Sequence, residues 1–400
     1  MLKQIEGSRA VAEAVARCRP EVICAYPITP QTHIVEALGE MVRRGELSHC
    51  AFMNVESEFA ALSVAVGACA AGARAYTATA SQGLLFMAEV VYNAAGLGLP
   101  IVMTVGNRAI GAPINIWNDH SDAMALRDAG WIQLFAADNQ EAADLHVQAF
   151  RIAEALSTPV MVCMDGFVLT HAFERVDVPS QEDVDAFLAP FEPRQVLDPA
   201  RPVSIGALVG PDAFTEVRFL AHETQLRALS VIPEVAAEFR ARFGRDSGGL
   251  VHPYRLTGAE TVVLAMGSVN GTLQDAVDAW RASGMLVGAL GICTFRPFPS
   301  AAVAAALSEA REVVVLDRNV APGSEGVLAT DVRMALTKNA PPVHSIIAGL
   351  GGRAITREAL DRLLERVQFG KLERPHFLDL DRTVVDRENE RAGMPHLRVL

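Results

Sequence analysis

Four short stretches of this chain hold the residues best suited to chemistry, and each falls just after a predicted strand. The first is Tyr26-Pro27-Ile28-Thr29-Pro30. Two prolines fix φ twice and Pro30 keeps Thr29 extended, so the loop is stiff and holds the Thr29 hydroxyl in a fixed direction. A Pro-rich turn that merely ends a strand is the simpler account of the same residues. The second stretch is Val55-Glu56-Ser57-Glu58-Phe59-Ala60-Ala61, where a strand hands over to a helix that stays small and apolar through Ala73. A carboxylate facing that surface is placed for general acid–base work, whereas one at the solvated helix start needs only the macrodipole to explain it. Glu58, nearer the apolar run, is therefore the acid–base candidate and Glu56 the helix-start acid. The third stretch, Thr79-Ala80-Ser81-Gln82-Gly83, offers backbone N–H groups and small polar side chains at a helix N-terminus. The fourth is Asn107-Arg108, running on through Trp117-Asn118-Asp119-His120-Ser121-Asp122. Arg108 is the only cation among these strand ends, which makes it the natural clamp for a substrate carboxylate. The Asp-His-Ser-Asp cluster superficially resembles metal ligands but has no second His at ligand spacing. Hydrogen-bonded loop packing is the expectation there, and no metal is assigned to this chain.

The elements that must position these stretches follow a strand–helix rhythm. Apolar runs at 22–26, 49–54, 73–78, 101–105, 132–136 and 160–164 predict strands, with helices over 58–71, 83–95 and 140–157. Such spacing implies a parallel sheet with helices on both faces, whose carboxyl edge is where ligands bind. The pattern loosens after 173, where charged and Pro-containing sequence gives an irregular connector over 174–258 with a charged helix around 217–242. A second α/β unit over 259–365 has predicted strands at 261–265, 287–290, 313–316 and 343–347 and helices at 272–283, 301–309 and 326–336. The expected fold is thus α/β with two parallel-sheet domains, the first over 1–173. The tail, 366–400, is charged without an apolar period, so it is expected to be disordered or wrapped around a partner subunit.

Composition narrows the function. Half of the 400 residues are hydrophobic, a fifth are charged and the formal net charge is −12. That acidity, with no basic stripe, excludes nucleic acid as a natural partner. No apolar run reaches the roughly 20 residues of a membrane span, and the mixed charges of the N-terminus do not make a signal peptide. A cytoplasmic protein is expected, with its apolar excess spent on deep cores or on partner surfaces. Six cysteines at 18, 24, 50, 69, 163 and 293 include no Cys-x-x-Cys pair. They read as buried free thiols, and any iron–sulfur cluster belongs on another chain. Gly349-Leu350-Gly351-Gly352 lacks the spacing of a dinucleotide fingerprint, and Gly267-Ser268-Val269-Asn270-Gly271-Thr272 reads as an ordinary strand-to-helix turn.

In this order, the four stretches resemble the α subunit of pyruvate:ferredoxin oxidoreductase and its 2-oxoacid:ferredoxin oxidoreductase relatives. Asp165-Gly166-Phe167 and Thr170-His171 extend the likeness. Met266-Gly267-Ser268, Phe295-Arg296-Pro297-Phe298-Pro299, Asp317-Arg318 and Ala348-Gly349-Leu350-Gly351-Gly352 carry it into the second unit. The resemblance implies a thiamine-diphosphate pyrimidine-binding domain followed by a transketolase-C-terminal-like domain. It also implies that Glu58 hydrogen-bonds the pyrimidine N1′, that Thr29 and Arg108 hold the substrate's carboxylate and oxo group, and that Pro27, Ile28, Ser81 and Gln82 help seat the cofactor. The usual Gly-Asp-Gly diphosphate signature is absent, so the family pattern assigns the diphosphate and Mg²⁺ to a separate β subunit. 4Fe–4S clusters fall to partner chains, with a γ subunit or domain, a ferredoxin-like subunit or domain, coenzyme A as co-substrate and ferredoxin as electron acceptor. Pyruvate is the expected substrate, with branched-chain 2-oxoacids, 2-oxoglutarate or aryl glyoxylates as the alternatives. Ser121 stands where many relatives carry Gln, which marks the pocket rim as a place of difference.

Overall fold

The computed structural model describes residues 2–336, 341–370 and 372–393. A seven-stranded sheet runs in the order Thr294–Arg296, Ile132–Phe135, Val160–Asp165, Val102–Asn107, Ala75–Thr79, Val22–Ala25, Ala51–Asn54. Every neighbouring pair is parallel except the first, where Thr294–Arg296 crosses from the second half of the chain to run antiparallel to Ile132–Phe135. Strands Ala75–Thr79, Val102–Asn107 and Val160–Asp165 are buried at every position. Both of their faces are covered by helices, which is why they read as continuous apolar runs rather than alternating ones. Helices Gly7–Arg17, Thr32–Arg43 and Asn139–Leu156 pack on one face, and Glu58–Ala70 and Ala88–Gly96 on the other.

A six-stranded sheet follows, ordered His376–Phe377, Val343–Ile347, Glu312–Asp317, Thr261–Ala265, Val287–Ile292, Val251–Tyr254, with only the last strand antiparallel. The two sheets share a core: Met103 and Phe135 of the first, with Leu62 and Val91 of the helices on it, cluster with Val262, Leu264, Leu290 and Val313 of the second. Burial of this continuous apolar layer, with the crossing strand, fixes one half of the chain on the other. Among the described residues, no helix is long and apolar enough to cross a membrane.

Several elements depart from the sequence-based expectation. The strand Leu2–Glu6 and the helices Gly7–Arg17 and Thr32–Arg43 went unread. The buried face of Gly7–Arg17 is built largely of Ala and Val, with Arg9, Glu13 and Arg17 spaced four apart on its outer side. The predicted helix over 83–95 is two helices, Ser81–Phe86 and Ala88–Gly96. The connector is more ordered than expected. Phe173–Asp177 pairs antiparallel with Leu2–Glu6, and Val251–Tyr254 joins the second sheet. Its helix extends over Pro211–Phe243, opened by Pro211 and stopped by Gly244 in the left-handed region. The first part of the tail carries regular elements. Helix Arg357–Gln368 spans the boundary placed at 365, His376 pairs with Ile346, and Asp381 caps a helix over Arg382–Arg391. Residues 394–400 lie outside the described residues. All six thiols are free, and all but the partly buried Cys50 are buried.

Candidate active site

The four stretches meet at the carboxyl edge of the first sheet, in two clusters joined by one buried carboxylate. In the first cluster Ser57 caps the helix Glu58–Ala70 by accepting from the Ala60 N–H at 3.1 Å, which turns the adjacent Glu58 inward. Glu58 is 7% exposed, while Glu56 is exposed. The Glu58 carboxylate lies against Gly83, where a Cβ would stand 2.5 Å from Glu58 Oε1 and 2.7 Å from Thr79 Oγ1. Any side chain at 83 would displace the carboxylate. Among the described residues Glu58 accepts no hydrogen bond, and Thr79 Oγ1 beside it is buried without a partner. Buried polar groups are nearly always paired, so the Glu58 carboxylate and the Thr79 hydroxyl are left available to a partner from outside the chain. Ser81 is buried with a positive φ of 49°, and its hydroxyl donates to the Ala109 carbonyl at 2.6 Å and contacts the Gln82 amide oxygen. Gln82 itself is half-buried.

The second cluster is built on the proline loop. Thr29 and Pro27 are exposed and Ile28 half-buried. Behind them Gln31, which the sequence did not single out, is fully buried and donates to the Tyr26 carbonyl at 2.8 Å and the Ala78 carbonyl at 3.3 Å. That anchors the loop to the neighbouring strand. Arg108 donates to the Thr29 carbonyl at 2.9 Å and the Asn115 carbonyl at 3.1 Å. No carboxylate lies within ion-pair distance of its guanidinium among the described residues, and burial lowers its pKa from the ordinary value against the pull of nearby Asp122. A desolvated guanidinium held only by carbonyls is fit to receive an anion. Arg108 and Thr29 are thus brought together. Glu58 is not hydrogen-bonded to either among the described residues.

Asp122 joins the clusters. It accepts from the Ser81 N–H at 2.9 Å, the Arg108 N–H at 3.0 Å, the Asn107 side chain at 2.8 Å and the Ala123 N–H at 2.8 Å. Burial pushes its pKa up to about 6 in spite of those bonds. One carboxylate therefore sets the spacing between the strand ends that carry Ser81 and Arg108. In the Asp119–Asp122 cluster, Asp119 packs the loop by accepting from Ser121 N–H at 3.0 Å and Gly351 N–H at 3.1 Å.

The second sheet meets this edge at Asp165. That carboxylate takes His120 Nε2 at 2.8 Å, Arg318 at 2.6 Å, and the N–H and hydroxyl of Ser268 at 2.8 and 2.5 Å. Burial alone would raise its pKa, but Arg318 and His120 outweigh burial and hold the carboxyl well below the usual carboxylate range. The Gly349–Gly352 turn is the other contact. At Gly352, with φ 83°, a Cβ would stand 2.4 Å from Cβ of Trp117, and Gly351 exchanges bonds with Asn115 and Asp119. Sequence motifs mark these residues but not their meeting, since Asp165 and Arg318 stand 153 positions apart.

The chain is similar to known proteins along most of its length. The family described as pyruvate flavodoxin/ferredoxin oxidoreductase, thiamine diP-bdg, matches residues 13–237, and pyruvate:ferredoxin oxidoreductase core domain II matches residues 259–360. Pyruvate synthase subunit PorA of Methanosarcina barkeri is 48% identical over 91% of this chain and 92% of its own. The Thermotoga maritima subunit of that name is 45% identical over 92% and 95%. Ketoisovalerate oxidoreductase subunit VorA of Pyrococcus abyssi is 39% identical over 93% and 96%. Among solved structures, the 2-oxoglutarate:ferredoxin oxidoreductase from Magnetococcus marinus, with 2-oxoglutarate, coenzyme A and succinyl-CoA bound, superposes with a TM-score of 0.74 at 20% identity. This chain spans 65% of that chain's length, and at such identity the likeness is one of fold. The chain belongs to the pyruvate flavodoxin/ferredoxin oxidoreductase family.

Proposed function

We propose that this chain is the α subunit of a pyruvate synthase, a 2-oxoacid:ferredoxin oxidoreductase that converts pyruvate and coenzyme A to acetyl-CoA and CO₂ and runs the reverse. The observation that carries it is identity of 43–48% with pyruvate synthase subunits over at least 91% of this chain. Thiamine diphosphate, when bound, supplies the electron sink for loss of CO₂. Glu58 holds and moves a proton at the pyrimidine N1′, the role open to a buried carboxylate that no described side chain satisfies. Pro27, Ile28, Ser81 and Gln82 frame the ring's seat. Arg108 binds the substrate carboxylate through the part of its fork not engaged by Thr29 and Asn115, and the Thr29 hydroxyl meets the oxo group.

The rest of the reaction belongs to partners. The diphosphate and Mg²⁺ sit on a β subunit, the 4Fe–4S clusters on partner chains that include a γ subunit or domain and a ferredoxin-like subunit or domain, with ferredoxin as electron acceptor. Apolar side chains standing exposed on the loops and helix ends around the site, among them Tyr26, Phe59, Phe86, Ile114 and Trp117, support a partner that closes it. Such an assembly operates in the cytoplasm. The identity with subunit VorA keeps a branched-chain 2-oxoacid as the second reading. Purification with its co-expressed partner chains, followed by a panel of 2-oxoacids with coenzyme A and ferredoxin, tests both. Pyruvate should give the highest kcat/KM; a preference for branched substrates would replace the first reading with the second. The isolated chain should be colourless and bind thiamine diphosphate weakly, and tight binding by it alone would argue against a shared site.

A further inference from the structure

A second polar cluster lies on the flank of the proline loop, where three separate segments meet. Glu6 ends the strand Leu2–Glu6, opposite Phe173 of its partner strand. His33 lies in the first turn of the helix Thr32–Arg43, and His171 in the turn that leads into Phe173–Asp177. We infer that Glu6, His33 and His171 form a binding site for a divalent transition-metal ion of the zinc class.

One carboxylate oxygen and two ring nitrogens from these residues all lie within 4.8 Å of one another. His33 Nδ1 stands 2.6 Å from Glu6 Oε1, and the two imidazole rings are 4.7 Å apart between centroids. Tetrahedral zinc with bonds of about 2.0–2.1 Å sets its ligand atoms roughly 3.3 Å apart. Rotation of the exposed His33 ring covers the difference. An outer partner is in place as well: the Thr170 hydroxyl lies 2.7 Å from His171 Nδ1 and is itself held by the Phe167 N–H at 2.7 Å. The Phe167 ring packs on His171 at 4.7 Å, with Trp117 beyond it at 4.6 Å, so the imidazole is fixed from behind while His33 leaves an entry path. Two nitrogens and one oxygen suit zinc, cobalt or nickel rather than the all-oxygen shells of magnesium and calcium. Sequence spacing could not show this set, whose members stand at 6, 33 and 171.

Glu141, His252 and Cys293 also cluster, but there the Glu141 carboxylate already accepts from the Ala137 and Gly248 N–H groups and from His252, and burial raises the Cys293 thiol far above its usual range. That set is a closed hydrogen-bond network, and it serves as the internal control.

The full-length chain, stripped with chelator, is titrated with Co²⁺ and Zn²⁺ by calorimetry and visible spectroscopy. The expected result is a single equivalent with cobalt d–d absorption and no thiolate charge transfer. His33→Gln and His171→Gln should each weaken binding at least about tenfold. Because the His33 side chain is 47% exposed, its replacement should leave the fold intact, which circular dichroism checks. Absence of the equivalent, or a spectrum and affinity unchanged in both histidine variants, overturns the site. So does a thiolate band that disappears in Cys293→Ser, which would place the metal in the control cluster.

Discussion

Two corners of one sheet edge treat a buried carboxylate in opposite ways. At the junction with the second sheet, Asp165 is surrounded by His120, Ser268 and Arg318. At the other corner Glu58 is buried beside Gly83 and Thr79 and accepts no hydrogen bond among the described residues. At Asp165 the cost of burying the charge is offset from within the chain by Arg318 and His120, whereas Glu58 has no such partner among the described residues. A saturated carboxylate makes a joint, whereas an open one is available for the proton-handling role proposed for Glu58. Asp122 belongs with the joints, since four donors hold it between the strand ends of Ser81 and Arg108.

Substitutions at the two corners should fail in different ways. Glu58→Gln should leave assembly intact and cut turnover by roughly 10²–10⁴-fold, the usual range for a positioned acid–base group. Steady-state assay of the purified complex checks this. Asp165→Asn should instead act on stability. Leaving Arg318 buried without its counter-ion should cost about 3–5 kcal/mol, read by denaturant unfolding. The pH dependence has a definite sign. Because the folded-state pKa of Asp165 is depressed, its contribution is present above the ordinary carboxylate range and is lost as pH falls through the folded-state value. Asp165→Asn should therefore be least stable relative to wild type near neutral pH, with the gap narrowing in acid.

Smaller effects sharpen the contrast between binding and chemistry. Arg108→Lys keeps the charge but loses the planar fork, and should lower kcat/KM by about ten- to a hundredfold with every 2-oxoacid. A change only in the ranking of side chains would move Arg108 away from the carboxylate. Thr29→Val should cost on the order of 1–2 kcal/mol of transition-state stabilisation, about one hydrogen bond. Glu56→Gln, at an exposed helix start, should cost at most about 1 kcal/mol of stability and leave turnover near wild type.

The open corner was more legible in the sequence than the closed one. Pro27, Pro30 and Gly83 punctuate strand-to-helix turns, so Thr29, Glu58 and Ser81 stood out by local pattern alone. Gln31 did not, because its buried contacts to Tyr26 and Ala78 depend on how the loop folds back over the sheet. Asp165, Ser268 and Arg318 could be quoted as motif residues, yet their meeting depends on how two sheets pack, which no local window reveals. The crossing strand Thr294–Arg296 and the ordered tail strand His376–Phe377 are short pieces whose strand character comes from the neighbour they pair with. Helix Gly7–Arg17, by contrast, carries a helical period in the sequence itself, with Arg9, Glu13 and Arg17 four apart against a small apolar face.

The role assigned to Glu58 is tested most directly by hydrogen–deuterium exchange at the thiamine C2 position, followed by NMR in the assembled complex. This step precedes substrate, so it separates proton handling from substrate binding and electron transfer. Exchange should be slowed in Glu58→Gln by about the same 10²–10⁴-fold as turnover, and should be unchanged in Glu56→Gln and Arg108→Lys. Equal exchange rates in wild type and Glu58→Gln would contradict the assignment and leave the open carboxylate without its proton-transfer role.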